Sequence, residues 1–593
     1  MKNLILLVAS FLLTGVVGAQ TRVPRELWLQ YADPAQAGFD PAALAAARET
    51  WEGMPSSAFM VIADGAVVAA WGQTERRFMC HSVRKSFLSA LYGIYWDRGE
   101  LELNKTLADL GLDDTPDPLL ETEKQARILD LLKARSGVFH PAAYAGRTDS
   151  RPRGSEGPGR YFAYNNWDFN TLATILMKET GCDVFEAFDE HFGRPMGMED
   201  WRVSDGYYHY ERDKSQYPAY PFRLSARDAA RFGLLFARGG LWGDERILSQ
   251  HWVDRSRALY SIDNAVHGYG FMWWVFRQPP FVDHGMYSAL GVGNQMIAVL
   301  PESDLVIVNR ANTYEREGTP ETQLLALIEQ ILDAHRGTPV ADPELVPMSV
   351  EVREPTFEAA SLERLGEYVG DWDLPARELG IETQSSVRVE LDGERLVGRW
   401  ENRGTFGLQL QPDGSLFVED AHDWLFPIRK ASGELAGLAG EGAIVGASLM
   451  ALAEGDSDGA AEWMALLDNV STSHVEVGRA LLGFIRGETR TAVRSLEALK
   501  KSIGGEEVEA RANVIGYEFF QAEQYDLARS VFELVTELFP SSANAWDSLA
   551  EAHMRLGHDD EAIAFYERSL ELDASNANAK AMIERILQGE TAR

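Results

Sequence analysis

Cysteine is almost missing from this chain: Cys80 and Cys182 are the whole supply in 593 residues. That excludes a disulfide-stapled framework, and a chain this long buries an adequate core without one. Both are expected as buried free thiols, because a bridge at Cys80 would strain the turn that holds Ser82. Two thiols cannot build a zinc site, and no His-Glu-x-x-His spacing occurs, so neither a metal nor a cofactor is expected. Positive charge is scarce as well, with 56 Lys and Arg against 90 Asp and Glu, a net of −34. Such a surface keeps the chain solvated and disfavours nucleic acid and anionic membranes as partners. Long apolar runs are also lacking. The longest, Leu4–Leu13, falls short of the about 18 residues a spanning helix needs. With Lys2 before it and Val17-Gly18-Ala19 after it, residues 1–19 read as a secretory signal peptide cleaved after Ala19. The expected mature chain is secreted or periplasmic, without a membrane span.

What is present is concentrated at Ser82-Val83-Arg84-Lys85, followed by the apolar run Phe87–Tyr92. Residues three apart on a helix share a face, so Lys85 can fold back to the Ser82 hydroxyl while Arg84 points elsewhere. A serine hydroxyl becomes a nucleophile when a neighbour accepts its proton. A lysine can do so if burial or nearby cations hold it neutral. Downstream, a Pro158-Gly159 turn leads to Tyr164-Asn165-Asn166, with Leu172, Ile175 and Leu176 at helical spacing behind it. Later still, Tyr287–Gly291 precedes two β-rich runs, Met296–Leu300 and Leu305–Val308, joined by Pro301–Asp304, the pattern of a hairpin.

In that order these motifs resemble the serine β-lactamase and penicillin-binding-protein superfamily, in its class C, D-aminopeptidase and esterase branch. Asp130–Val138, Arg194–Met198 and Ser225–Gly233 are similar to further segments of that family, and the likeness covers about residues 25 to 335. It implies an αβα domain, an antiparallel sheet flanked by helices, with Ser82 as the acyl-forming nucleophile and Lys85 as its proton acceptor. It also implies Tyr164 as the second member of the acid/base relay. Asn166 would orient Lys85 or hold a substrate amide. The oxyanion hole would use the Ser82 N–H and one N–H just after Gly291, that of Val292. The family pattern has Lys or His two residues before this glycine, and here Ala289 stands there instead. That removes the expected grip on a substrate carboxylate and favours a neutral ester or amide. His284 reads as a turn residue at the start of a strand.

The expected activity is therefore that of an exported serine hydrolase acting on a small-molecule or peptide substrate through an acyl-enzyme. A D-amino-acid-specific peptidase or weak β-lactamase is one alternative. A non-catalytic sensor or scaffold is the other.

Domain boundaries follow composition: residues 20–336 form the hydrolase domain and Pro-rich 337–359 a linker. Residues 360–438 form a small antiparallel β domain, in which Asp392-Gly393 and Asp413-Gly414 interrupt alternating apolar residues, a strong hairpin signal. Residues 439–593 are helical and repeat with a period of 34. Ala512, Ile515, Gly516, Phe519, Ala528, Phe532 and Pro540 correspond to Trp546, Leu549, Ala550, His553, Ala562, Tyr566 and Ala574. This resembles tetratricopeptide repeats, with units at 509–542 and 543–576, a degenerate unit at 473–506 and a capping helix at 577–590. The repeats imply either a groove for a protein or peptide partner or a docking appendage.

Overall fold

The computed structural model describes residues 22–588 apart from 146–150, 316–317, 349–361, 375–384, 402, 412–413, 422, 430–434, 454, 469–471, 503 and 575. The expected signal peptide and Asp413 lie outside the described residues. Two compact units divide the chain: residues 1–355 with 402–405, and residues 356–401 with 406–593.

The first unit is built on a ten-stranded sheet. From one edge its strands are Leu345–Pro347, Leu29–Tyr31, Ala66–Gly72, Ala58–Ala63, Leu305–Arg310, Gln295–Leu300, Tyr287–Gly291, Trp274–Phe276, His267–Tyr269 and Ser261–Ile262. Pairing is antiparallel except where Gln30 meets Val67 in parallel. The expected hairpin is present, with Leu300 opposite Leu305 and Met296 opposite Asn309. Leu345–Pro347, inside the stretch read as a linker, is an edge strand of this sheet.

Both faces of the sheet are covered, which is why its central strands are buried along their whole length instead of alternating. Phe59, Val61, Ala298 and Ile307 pack on one side with Leu44 of the Pro41–Glu52 helix and Leu327 and Ile331 of the Glu321–Ala334 helix. Met60, Ile62, Ile297 and Val306 face the larger helical cluster on the other side. At the centre of that cluster runs the Arg84–Asp97 helix, buried from Arg84 to Tyr95. A helix enclosed on every side can be apolar on all faces, as this one largely is beyond Ser86. Two hydrogen bonds fix it: Ser86 Oγ donates to the Met272 carbonyl and Tyr92 Oη to the Leu172 carbonyl.

The second unit begins with a seven-stranded antiparallel meander from Gly370–Leu374 to Leu435–Gly440, whose first and last strands also approach each other to give a near-barrel. Asp392 and Arg395 face one another across the Glu394-containing turn, as the Asp-Gly signal required. Helices follow in antiparallel pairs. Glu441–Ala453 and Ser457–Ala465 precede Ser473–Ile485 and Thr489–Ser502, the expected degenerate unit. The 34-residue units appear as Gly505–Gln521 with Tyr525–Leu538 and as Ala543–Arg555 with Asp559–Leu572, and Ala577–Leu587 caps them. The small/large alternation is physical: a Cβ on Gly516 would stand 2.3 Å from the Phe532 ring.

Candidate functional site

Ser82 lies in the tight turn His81–Val83 that runs directly into the Arg84–Asp97 helix. His81, just ahead of it, has φ +48°, in the left-handed region where a side chain of this size costs of order 1–3 kcal/mol. Its ring is tied at both ends. Nδ1 lies 2.9 Å from the Tyr144 hydroxyl and Nε2 2.8 Å from the Thr313 hydroxyl. Burial first, then Arg84, Arg310 and Lys85, push the imidazole down to about 4. It is therefore neutral at ordinary pH, one nitrogen donating and the other accepting.

Lys85 Nζ stands 2.7 Å from Ser82 Oγ, as the three-residue spacing predicted. The ammonium has little to sustain it. The side chain is 1% exposed, and the two rings flanking Nζ, those of Tyr164 and Phe169, have centroids 4.9 and 5.0 Å away. Burial, helped by Arg84, holds Lys85 well below the usual lysine range. Tyr164 completes the cluster: its ring centroid lies 4.9 Å from Lys85 Nζ and its phenol interacts with the Ser82 side chain. Burial pushes that phenol up to about 12 against the pull of Ser82 and Arg84, so it keeps its proton. Two groups of opposite habit thus meet one alcohol: an amine disposed to take a proton and a phenol disposed to hold one.

Asn166 is at the start of the Asn166–Thr180 helix, capped by the Asn165 carboxamide, which accepts from the Asp168 amide. Its Nδ2 donates to the Tyr144 carbonyl at 2.6 Å, and its Oδ1 is buried with no partner among the described residues. Lys85 orientation, one of its two expected roles, is not what its hydrogen bond serves. Instead it fixes Tyr144. That residue is held from all sides: its amide donates to Glu211 Oε1, its ring packs on the Arg84 guanidinium and against His209, and its φ is +56°.

The strand Tyr287–Gly291 runs up to the Ser82 turn. A Cβ on Gly291 would stand 2.4 Å from the Cys80 carbonyl oxygen and 3.1 Å from the Ser82 amide nitrogen. Only a glycine lets this strand end come so close. Ala289 is buried on the strand face toward the Ser82 helix and brings a methyl where a cation was expected from the resemblance. Val292 follows with its side chain largely exposed, at 67%. His284 sits in the turn Phe281–His284, with Nδ1 2.6 Å from Ser303 Oγ, at the hairpin end.

Sequence reasoning missed His81, Tyr144, Thr313 and the placement of Arg84. Only Arg84 carried a signal, a charged residue opening an otherwise buried helix. Cys80 and Cys182 are free, Cys80 buried and accepting from Arg310, but Cys182 is only half-buried, just past the helix that ends at Thr180, whose hydroxyl donates to its sulfur. Among the described residues no group of three or more His, Cys, Asp or Glu could hold a metal ion, and no helix is long and apolar enough to cross a membrane.

Residues 43–330 match the Beta-lactamase family, and residues 513–577 a Tetratricopeptide repeat family. No curated protein matches the chain. Similar solved structures include a beta-lactamase from Mycobacterium bovis, 17% identical, with a TM-score of 0.36 over 49% of this chain and 99% of that one. A penicillin binding protein from Bacillus halodurans is 16% identical, with a TM-score of 0.38 over 49% and 99%. EstCE1, a hydrolase with promiscuous acyltransferase activity, is 16% identical, with a TM-score of 0.37 over 51% and 100%. Residues 43–330 are a Beta-lactamase domain by their family match, and residues 513–577 of the same chain are tetratricopeptide repeats.

Proposed function

We propose that this protein is an exported serine hydrolase that cleaves an ester or amide bond through an acyl-enzyme on Ser82. The observation that carries this reading is the buried Lys85 amine at 2.7 Å from Ser82 Oγ. Lys85 Nζ takes the hydroxyl proton as Oγ attacks the substrate carbonyl. The oxyanion forms between the Ser82 N–H and the Val292 N–H beyond Gly291, where one such donor is worth about 10²–10³ in turnover. Tyr164 gives its proton to the departing alkoxide or amine and is reprotonated from Lys85. Water then attacks the ester and releases the acid, with the same groups running in reverse. Ala289 supports a neutral acyl group over a carboxylate-bearing one. The tetratricopeptide repeats support a protein or peptide partner in addition to the substrate.

Labelling with a fluorophosphonate and with a fluorescent penicillin, followed by mapping of the modified residue, tests the reaction. Labelling of Ser82 by the fluorophosphonate alone supports the esterase or amidase. Labelling by penicillin moves the reading to the peptidase or weak β-lactamase, and labelling by neither leaves a scaffold. Label persisting in Ser82→Ala refutes the choice of nucleophile. Export is tested separately: an N-terminus at Gln20 on protein recovered outside the cytoplasm supports it, and an intact N-terminus there refutes cleavage.

A further inference from the structure

We propose that Arg84, a cation sealed in the protein without a carboxylate, is the positioning residue that keeps Lys85 available as a base. This rests on the reading of Lys85 as the proton acceptor of Ser82.

Arg84 is fully buried, and every contact it makes among the described residues is uncharged. Nη1 donates to the His81 carbonyl at 3.2 Å and Nη2 to the Asn170 carboxamide oxygen at 3.4 Å. The guanidinium is sandwiched by the Tyr144 and Tyr220 rings, 5.2 and 4.9 Å from their centroids, and Nε has no partner. Elsewhere in this unit Arg223 pairs with Asp205 at 2.9 Å and Arg231 with Glu199 at 2.7 Å, while Arg310, also fully buried, donates to the Phe78 and Leu224 carbonyls and has no ion pair among the described residues. A buried guanidinium without an anion is costly to the fold, so its retention beside Lys85 calls for a use. Two consequences follow from its position. It holds the carbonyl of His81, whose left-handed backbone sets the Ser82 turn. Its charge also acts on Lys85 through low dielectric, where a neighbouring cation disfavours a second one.

No other group packed around Lys85 competes. Ser82 and Tyr164 are neutral hydroxyls, the Phe169 ring is uncharged, and His81 is neutral above about pH 4. Asp168, on the Asn166–Thr180 helix, is kept protonated by burial up to about pH 8. Tyr220 and Tyr269, beyond Tyr164, are raised by burial and stay neutral.

The test is the rate of Ser82 labelling by a fluorophosphonate against pH, in the full chain. The wild-type rate should fall on an acid limb well below the ordinary lysine pKa of about 10.4. Arg84→Gln, which keeps donors for His81 and Asn170, should move that limb up by about one pH unit or more while the rate at its alkaline plateau is largely retained. Arg84→Lys should return it toward wild type. Asn170→Asp, which leaves Arg84 in place and gives it an anion, should move the limb in the same upward direction. A wild-type limb near 10 overturns the proposal without any variant. Equally, unmoved limbs in Arg84→Gln and Asn170→Asp overturn it, even if the rates drop evenly. Undiminished labelling in Lys85→Ala would instead refute the proton-acceptor reading itself.

Discussion

Replacing Asp168 by Asn should stabilise the first unit at neutral pH, and the structure sets the size of the effect. Asp168 is fully buried; its Oδ1 accepts from Ser136 Oγ at 2.6 Å, and its Oδ2 meets no donor among the described residues. Burial raises its carboxyl from 3.8 to about 8, against the lowering effect of the Ser136 and Asn165 hydrogen bonds. The folded state therefore holds a proton that the unfolded chain releases between pH 4 and 8. Stability is greatest below the unfolded pKa and falls as pH rises through this window, flattening above about 8. At about 1.4 kcal/mol per unit, the cost at pH 7 is about 4 kcal/mol as a ceiling, and about 2–4 kcal/mol after local relaxation. Asn can still accept from Ser136 and never ionises. Urea or thermal unfolding of the first unit at pH 5 and pH 8 measures the difference. Asp168→Asn should raise the midpoint at pH 8 by about 5–10 °C and do little at pH 5. Equal pH dependence in the two proteins would refute the assignment of a buried neutral carboxyl.

Gly291→Ala should leave the fold intact but push its methyl against Cys80 O and the Ser82 amide; at least a tenfold slower fluorophosphonate reaction is expected, and an unchanged rate would show the strand is not packed on the Ser82 turn. Tyr144→Phe removes the hydroxyl bonded to His81, and a loss of about 1 kcal/mol in stability with slower labelling should follow, read by unfolding and by the same probe. Gly516→Val forces a side chain into the Phe532 ring; helix content should melt about 1–3 kcal/mol earlier by circular dichroism, with labelling of Ser82 untouched.

The contact between Ser82 and Lys85 was legible because its spacing is local. A spacing of three from Ser82 to Lys85 is about one helical turn, whatever the rest of the fold does. The 34-residue repeat and the Asp392-Gly393 turn were legible for the same reason, since each is set by neighbours in sequence. What could not be read depends on distant segments meeting. Tyr144 and Thr313 reach His81 across 63 and 232 residues, and neither has a motif around it. Asn166 carried a motif, yet its hydrogen bond goes to a loop whose path no periodicity specifies. The edge strand Leu345–Pro347 was hidden by Pro347 and by Pro339 and Pro343 ahead of it, because Pro is tolerated at a sheet edge where no ladder bond is needed from it.

That edge strand bears on where the first unit stops. Leu345–Pro347 covers Leu29–Tyr31, register by register, and so caps the sheet margin with a short, partly solvated segment ending in a proline. A version of the protein cut at residue 336 would uncover Leu29–Tyr31 and leave a row of amides and carbonyls open to a second molecule, the template from which strand-to-strand aggregation starts. One cut after Met348 would carry its own guard.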